Sequence, residues 1–110
     1  MPTTYKVLGQ SAPADTNNAN LYTVPSSTSA VVSSIVVTNT TSLSATFRIF
    51  ARIGGAAAAT SNAIAYDLTL APSSTKIFTI GITLATTDII TVRSGTANAL
   101  TFSAFGSEIS

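Results

Sequence analysis

The stretch ATFRIFARIGG, residues 45–55, reads as a strand with two unlike sides. From Thr46 to Ile53 the residues alternate. Phe47, Ile49, Ala51 and Ile53 fall on one side, and Thr46, Arg48, Phe50 and Arg52 on the other. Alternation of period two is the signature of a strand buried on one face, so the first set is expected to look inward. A slip of one residue would exchange the two sets, so the register is expected to be well fixed.

The same pattern extends outward from this stretch. Between Lys76 and Leu84, Phe78, Ile80, Ile82 and Leu84 share a side opposite Ile77, Thr79, Gly81 and Thr83, and Ile90 and Val92 continue it against Thr91 and Arg93. Clusters of Gly, Pro, Asn, Asp and Ser recur at short intervals between runs rich in Val, Ile, Thr, Phe and Tyr. That spacing predicts strands near 4–8, 20–24, 29–39, 43–53, 62–70, 75–85, 88–94 and 99–106. The fold expected is all-β: one antiparallel β-sandwich domain over 1–110 with about eight short strands, in jelly-roll or immunoglobulin-like order.

Two strands break the clean alternation. SAVVSSIVVTN (29–39) carries Val31, Ile35 and Val37 on one side and Ala30, Val32 and Val36 on the other, which predicts a strand covered on both faces. AIAYDLTL (63–70) is expected to bury Ile64, Tyr66, Leu68 and Leu70, leaving Ala63, Ala65, Asp67 and Thr69 opposite. GGAAAAT (54–60) reads equally as a helical turn or a flexible loop.

Composition bounds the function. Hydrophobic residues make up 45% of the chain and charged ones only 8%, where a soluble domain averages about a quarter charged. Thr (19) and Ser (15) fill the gap, and β-branched Thr favours pleated surface. Net charge is +1 with no run of Lys or Arg, so the electrostatic footprint of a nucleic-acid binder is missing. So little charge points to surface that lies against other subunits. There is no Cys, hence no disulfide framework and no reading of the redox compartment. The opening MPTTYKVLGQ does not have the pattern of a signal peptide, and no stretch of 18 apolar residues exists, so no membrane partner is expected.

With no His, Cys or Trp, neither a Ser-His-Asp triad, a Cys-His pair nor a thiolate or imidazole metal site can be assembled. The four acids, Asp15, Asp67, Asp88 and Glu108, stand far apart in the chain, without a calcium-loop spacing. No catalytic residue, cofactor or metal is expected. Asp88, after Thr86-Thr87, reads as a turn residue whose carboxylate binds local backbone N–H groups. Asn39-Thr40-Thr41 matches the glycosylation sequon, a weak signal in a Thr-rich chain.

The candidate interaction residues come from the two-sided strands. Arg48, Phe50 and Arg52 line one side at intervals of about 6.8 Å. Arg and aromatics are enriched in interface cores, so this stripe is expected to meet a neighbouring chain. The alternatives are that the Arg stems cover Phe50 while the guanidiniums stay in water, or that the stripe binds an anion or nucleic acid. Ala30, Val32 and Val36 are the candidates for a covered second face. Tyr5, Tyr22, Tyr66 and Phe50 are the aromatic platforms on which a shallow sugar site could be built.

Read end to end, KVLGQSAP, LYTVPSSTSAVVSSIVVTN, ATFRIFARIGG, IAYDLTLAPSSTKIFTIGITLATTDIITV and LTFSAFGSEI make the chain resemble small virion structural proteins of tailed bacteriophages, especially cyanobacterial and marine phages. It departs at Ser26-Ser27, where such sequences often carry a glycine-containing turn. The resemblance implies an antiparallel β-sandwich without catalysis that decorates or joins a particle. The expected role is a capsid cement or decoration protein, a homo-oligomer and by expectation a trimer, bound to the major capsid protein or other virion proteins. The alternatives are a tail, baseplate or fibre-associated module, or a host-glycan-binding module. No site residues carry over from the family.

Overall fold

A computed structural model describes residues 2–110. Among these described residues nine strands form: β1 (Thr3–Ser11), β2 (Ala19–Thr23), β3 (Ser29–Asn39), β4 (Ala45–Arg52), β5 (Ala63–Leu70), β6 (Thr75–Phe78), β7 (Ile82–Leu84), β8 (Ile89–Ser94) and β9 (Leu100–Ile109). All pairings are antiparallel. One sheet runs β1-β9-β3-β6, with β7 beside β6 along the same edge of β3; the other runs β2-β8-β4-β5. The expected single strand 75–85 is therefore two, broken where Gly81 takes a positive φ of 56°. The break leaves Ile80 half exposed, whereas Phe78, Ile82 and Leu84 still pack inward. Counting β6 and β7 as halves of one strand gives the orders 1-8-3-6 and 2-7-4-5, the eight-stranded jelly roll. Of the two orders expected, the strands take the jelly-roll one.

The core lies between the sheets, and β4 supplies its centre. Phe47 and Ile49 are fully buried, as their alternation requires. Phe47 meets Phe78 and Phe102 edge to face, with ring centroids 6.0 and 6.2 Å apart. Such pairs add about 0.5–1.5 kcal/mol each beyond area burial. Ile53 is not part of this face. The strand ends at Arg52, a 3-10 turn follows at Ile53–Gly55, and Ile53 is left exposed. A second 3-10 turn, Thr60–Asn62, leads into β5, so GGAAAAT runs from the end of one tight turn through an irregular link to the start of the other.

Bulges correct the two-faced readings of β3 and β5. In β3 the register against β9 shifts between Val32 and Ser34. The extra residue flips the phase, so Ala30 and Val32 before it and Ile35 and Val37 after it all look into the core. Ala30 and Val32 therefore do not share a second face with Val36, which stands partly buried on the outer side. In β5 the register shifts opposite Arg48, with Asp67 at φ 53°. Ala65 is buried, not Tyr66, and Leu70 resumes the inward phase.

The corners are fastened by side chains. Asp88 accepts from Ala85 N–H at 2.9 Å, as its turn position implies, and also from Gly54 N–H at 2.8 Å, which holds the turn after β4. Asn39 is buried with all four of its amide bonds made. Nδ2 donates to Leu43 O (2.8 Å) and Leu70 O (3.1 Å), and Oδ1 accepts from Thr41 N–H (3.0 Å) and Thr41 O–H (2.8 Å). A side chain so placed presents no acceptor amide for glycosylation. Ser27 takes φ 55°, the left-handed conformation that glycine adopts without strain.

Candidate functional site

The two outer faces of the sandwich differ in chemistry. On the β2-β8-β4-β5 sheet, Arg48 lies directly opposite Arg93 of β8. Like charges so placed repel, and Asp67, thrown outward by the β5 bulge, offsets them. Arg48 grips Asp67 with two bonds, Nε to Oδ1 at 2.7 Å and Nη2 to Oδ2 at 3.1 Å. Its guanidinium also lies over the Tyr66 ring, 4.1 Å from the centroid. The bond from Arg48 holds the Asp67 carboxyl below the usual carboxylate range, and the carboxylate holds the Arg48 guanidinium above its own. Asp67 remains half exposed, so solvent screens the pair.

Arg52 is occupied in a different way. Nε donates to Ala56 O (2.6 Å) and Nη2 to Gly55 O (3.1 Å), while Nη1 reaches Thr91 Oγ1 (3.1 Å) and Asn20 Oδ1 (3.3 Å). One guanidinium thus fastens the 53–56 turn to strands β2 and β8. Phe50, between the two arginines, is only 3% exposed and stacks edge-on against Tyr66, with centroids 6.5 Å apart. The stripe of Arg48, Phe50 and Arg52 is real as a row, but its own chain already covers its aromatic centre. A small cleft of about 140 Å³ lies beside it, among Arg48, Asp67, Arg93, Phe47 and Gly95.

The outer face of the β1-β9-β3-β6 sheet has the opposite character. Register places Tyr5 beside Ser107 and Val31, Val7 beside Phe105, and Val36 between Ser103 and Ile77. None of these residues is charged. Tyr5 is 84% exposed and Ile77 61%, while Val7 is about half exposed. A shallow groove of about 570 Å³ runs among Tyr5, Lys6, Val7, Val31, Ser33 and Phe105, with Lys6 its one charged lining residue. The two charges nearest this face, Lys6 and Glu108, point to the other side of the sheet and pair at 3.3 Å. Tyr22 O–H donates to Glu108 at 2.6 Å. That bond, with help from Lys6, holds the Glu108 carboxyl below the usual range, while burial and the carboxylate push the Tyr22 phenol well above its own.

The sequence-predicted residues therefore disperse. Arg48, Phe50 and Arg52 line one outer face, Val36 the other, and Ala30 and Val32 the core. Of the four aromatic platforms, Tyr22 and Phe50 are buried and Tyr66 lies beneath Arg48, leaving Tyr5 open. That Arg93 and Asp67 adjoin Arg48, and that Tyr5, Val7 and Phe105 form one patch, is not visible in the sequence, because each joins its face through strand pairing between distant segments. Among the described residues, no three His, Cys, Asp or Glu side chains gather as a metal group, and no helix is long and apolar enough to cross a membrane.

What the fold defines is an eight-stranded jelly roll with one charged and one uncharged outer face. No family model matches the chain, and no curated protein does. Four chains of solved structures match. One is from the "Structure of infectious bursal disease virus Gx strain", with 17% sequence identity and a TM-score of 0.48. The match covers 97% of this chain and 31% of that one, so this chain spans about a third of that neighbour's length.

Proposed function

We propose that this chain is a non-enzymatic structural protein of a virion, a cement or decoration protein that binds the assembled capsid shell. Its partners in this reading are further copies of itself and the major capsid protein. A jelly roll alone does not fix function, since the same architecture serves capsids, lectins and cupins. The observation that carries the reading is the uncharged outer face of the β1-β9-β3-β6 sheet, with Tyr5 and Ile77 open to solvent. Large apolar side chains left exposed together on an uncharged face are a mark of a protein contact. The sequence resemblance to phage virion proteins supports the particle as the setting. The mechanism is mass action. A protein that binds only the assembled shell stabilises it by RT ln(1 + [L]/Kd), about 2.7 kcal/mol when its free concentration is a hundred times Kd.

The test is to heat particles of the virus that encodes it, with and without this protein. Particles lacking it are expected to expand or release their contents at lower temperature, and equal stability would refute the cement role. Copy number separates this reading from a tail or baseplate module: many copies spread over the shell support cement, a handful at one vertex supports the tail.

A further inference from the structure

A sheet edge that exposes unpaired N–H and C=O groups invites another strand, and folds commonly block such edges with breaks, bulges or short length. Three of the four edges here are blocked. The β6/β7 edge is interrupted at Gly81, β5 bulges at Asp67, and β2 is five residues long with its register shifted between Asn20 and Tyr22. β1 is nine residues long and runs unbulged from Thr3 to Val7, all five residues exposed.

Its hydrogen-bond phase can be read from one end. Ser110 N–H donates to Pro2 O at 3.1 Å, so Pro2 and Ser110 form a bonded pair of the β1–β9 ladder. Bonded and non-bonded pairs alternate in an antiparallel ladder. Thr4 and Lys6 therefore turn their backbone groups to β9, whereas Thr3, Tyr5 and Val7 turn theirs to the open edge.

We propose that β1 pairs antiparallel with β1 of a second copy about a two-fold axis at Tyr5, joining two sheets into one. In this register Thr3 faces the partner copy's Val7, and Tyr5 faces its own counterpart. All three outward residues then fall in bonded pairs, and every N–H and C=O they present is used. Lys6 falls opposite Thr4 and not opposite its own copy, so no like charges meet; its ammonium is already held by Glu108. The axis stands normal to the sheet, so both uncharged faces look the same way and the exposed Tyr5, Val7 and Phe105 patches become continuous. An isologous pair of this kind is two-fold, in place of the trimer expected from the sequence. The edge geometry carries this inference whether or not the protein belongs to a virion.

The chain has no cysteine, so one introduced thiol gives a clean readout. Bonded antiparallel pairs hold their Cα atoms about 5.5 Å apart, within disulfide reach. Under mild oxidation Tyr5→Cys is expected to form a covalent dimer, whereas Val7→Cys, opposite Thr3, is expected to stay uncrosslinked. Light scattering on the unmodified protein is expected to give twice the 11.2 kDa chain mass. Tyr5→Pro, which removes an outward N–H and no bond to β9, is expected to return the single-chain mass with its circular dichroism unchanged. A single-chain or three-chain mass for the unmodified protein would overturn the pairing. So would a dimer that survives Tyr5→Pro, or equal crosslinking of the two cysteine variants.

Discussion

At Asn39 one side chain closes the turn after β3 and ties it to the end of β5, using every bond it can make. Asn39→Ala is expected to remove all four of these bonds, including the buried one to Leu70 O, leaving Leu43 O its bond from Thr41 O–H, and to cost about 2–4 kcal/mol, read from urea unfolding. The reverse is expected at Ser27, held at φ 55°. Ser27→Gly relieves that strain and is expected to gain about 1 kcal/mol in the same assay. Gly106 has no such freedom to vary. A Cβ there would run into the Val31 carbonyl, next to the β3 bulge. Gly106→Ala is expected to lose about 3 kcal/mol by overpacking. The role of Asp88 was legible in the sequence because a turn carboxylate needs only near neighbours. The arginine opposite Arg48 was not legible, because Arg93 reaches it only through the β4–β8 register.

Among the elements, β4 could be read almost completely and β3 could not. Phe47 and Ile49 follow strict alternation into the core. SAVVSSIVVTN follows it too, but on either side of a bulge, and one inserted residue makes a one-sided strand look two-sided. The same effect misplaced Tyr66 in β5, and Gly81 divided a strand whose pattern runs straight through it. Bulges are set by what a strand pairs with, which its own residues do not record. Two acid-sensitive ties follow from the pairing that results. Glu108 and Asp67 both have folded pKa values below their ordinary ones, through Tyr22 with Lys6 and through Arg48 respectively. Their stabilisation is complete above the unfolded range near pH ~4 and is lost as pH falls through the lower folded values. The thermal midpoint is therefore expected to drop below about pH 4, and to drop less in Glu108→Gln. Arg52 ties an element of another kind, the 53–56 turn. Arg52→Ala is expected to speed proteolytic cleavage within 53–62 while the sheets stay folded.

At the scale of the whole molecule, the jelly roll sorts its few charges to one side. All three arginines stand on the outside of the β2-β8-β4-β5 sheet, and the opposite outer face carries none of the chain's nine charged residues. In the proposed role that asymmetry would turn the uncharged face toward a protein surface and the arginine face toward solvent. The all-β sandwich was legible from composition, turn spacing and period-two runs. The asymmetry was not, since it depends on which strands share a sheet. It also shifts the candidate contact from the Arg48–Phe50–Arg52 row to the Tyr5, Val36 and Ile77 face. A reconstruction of the virus particle tests this most directly. The account predicts many copies of the sandwich on the shell, each with its β1-β9-β3-β6 sheet buried against the major capsid protein. Particles without the protein, or copies that bury the arginine-bearing sheet instead, would contradict it.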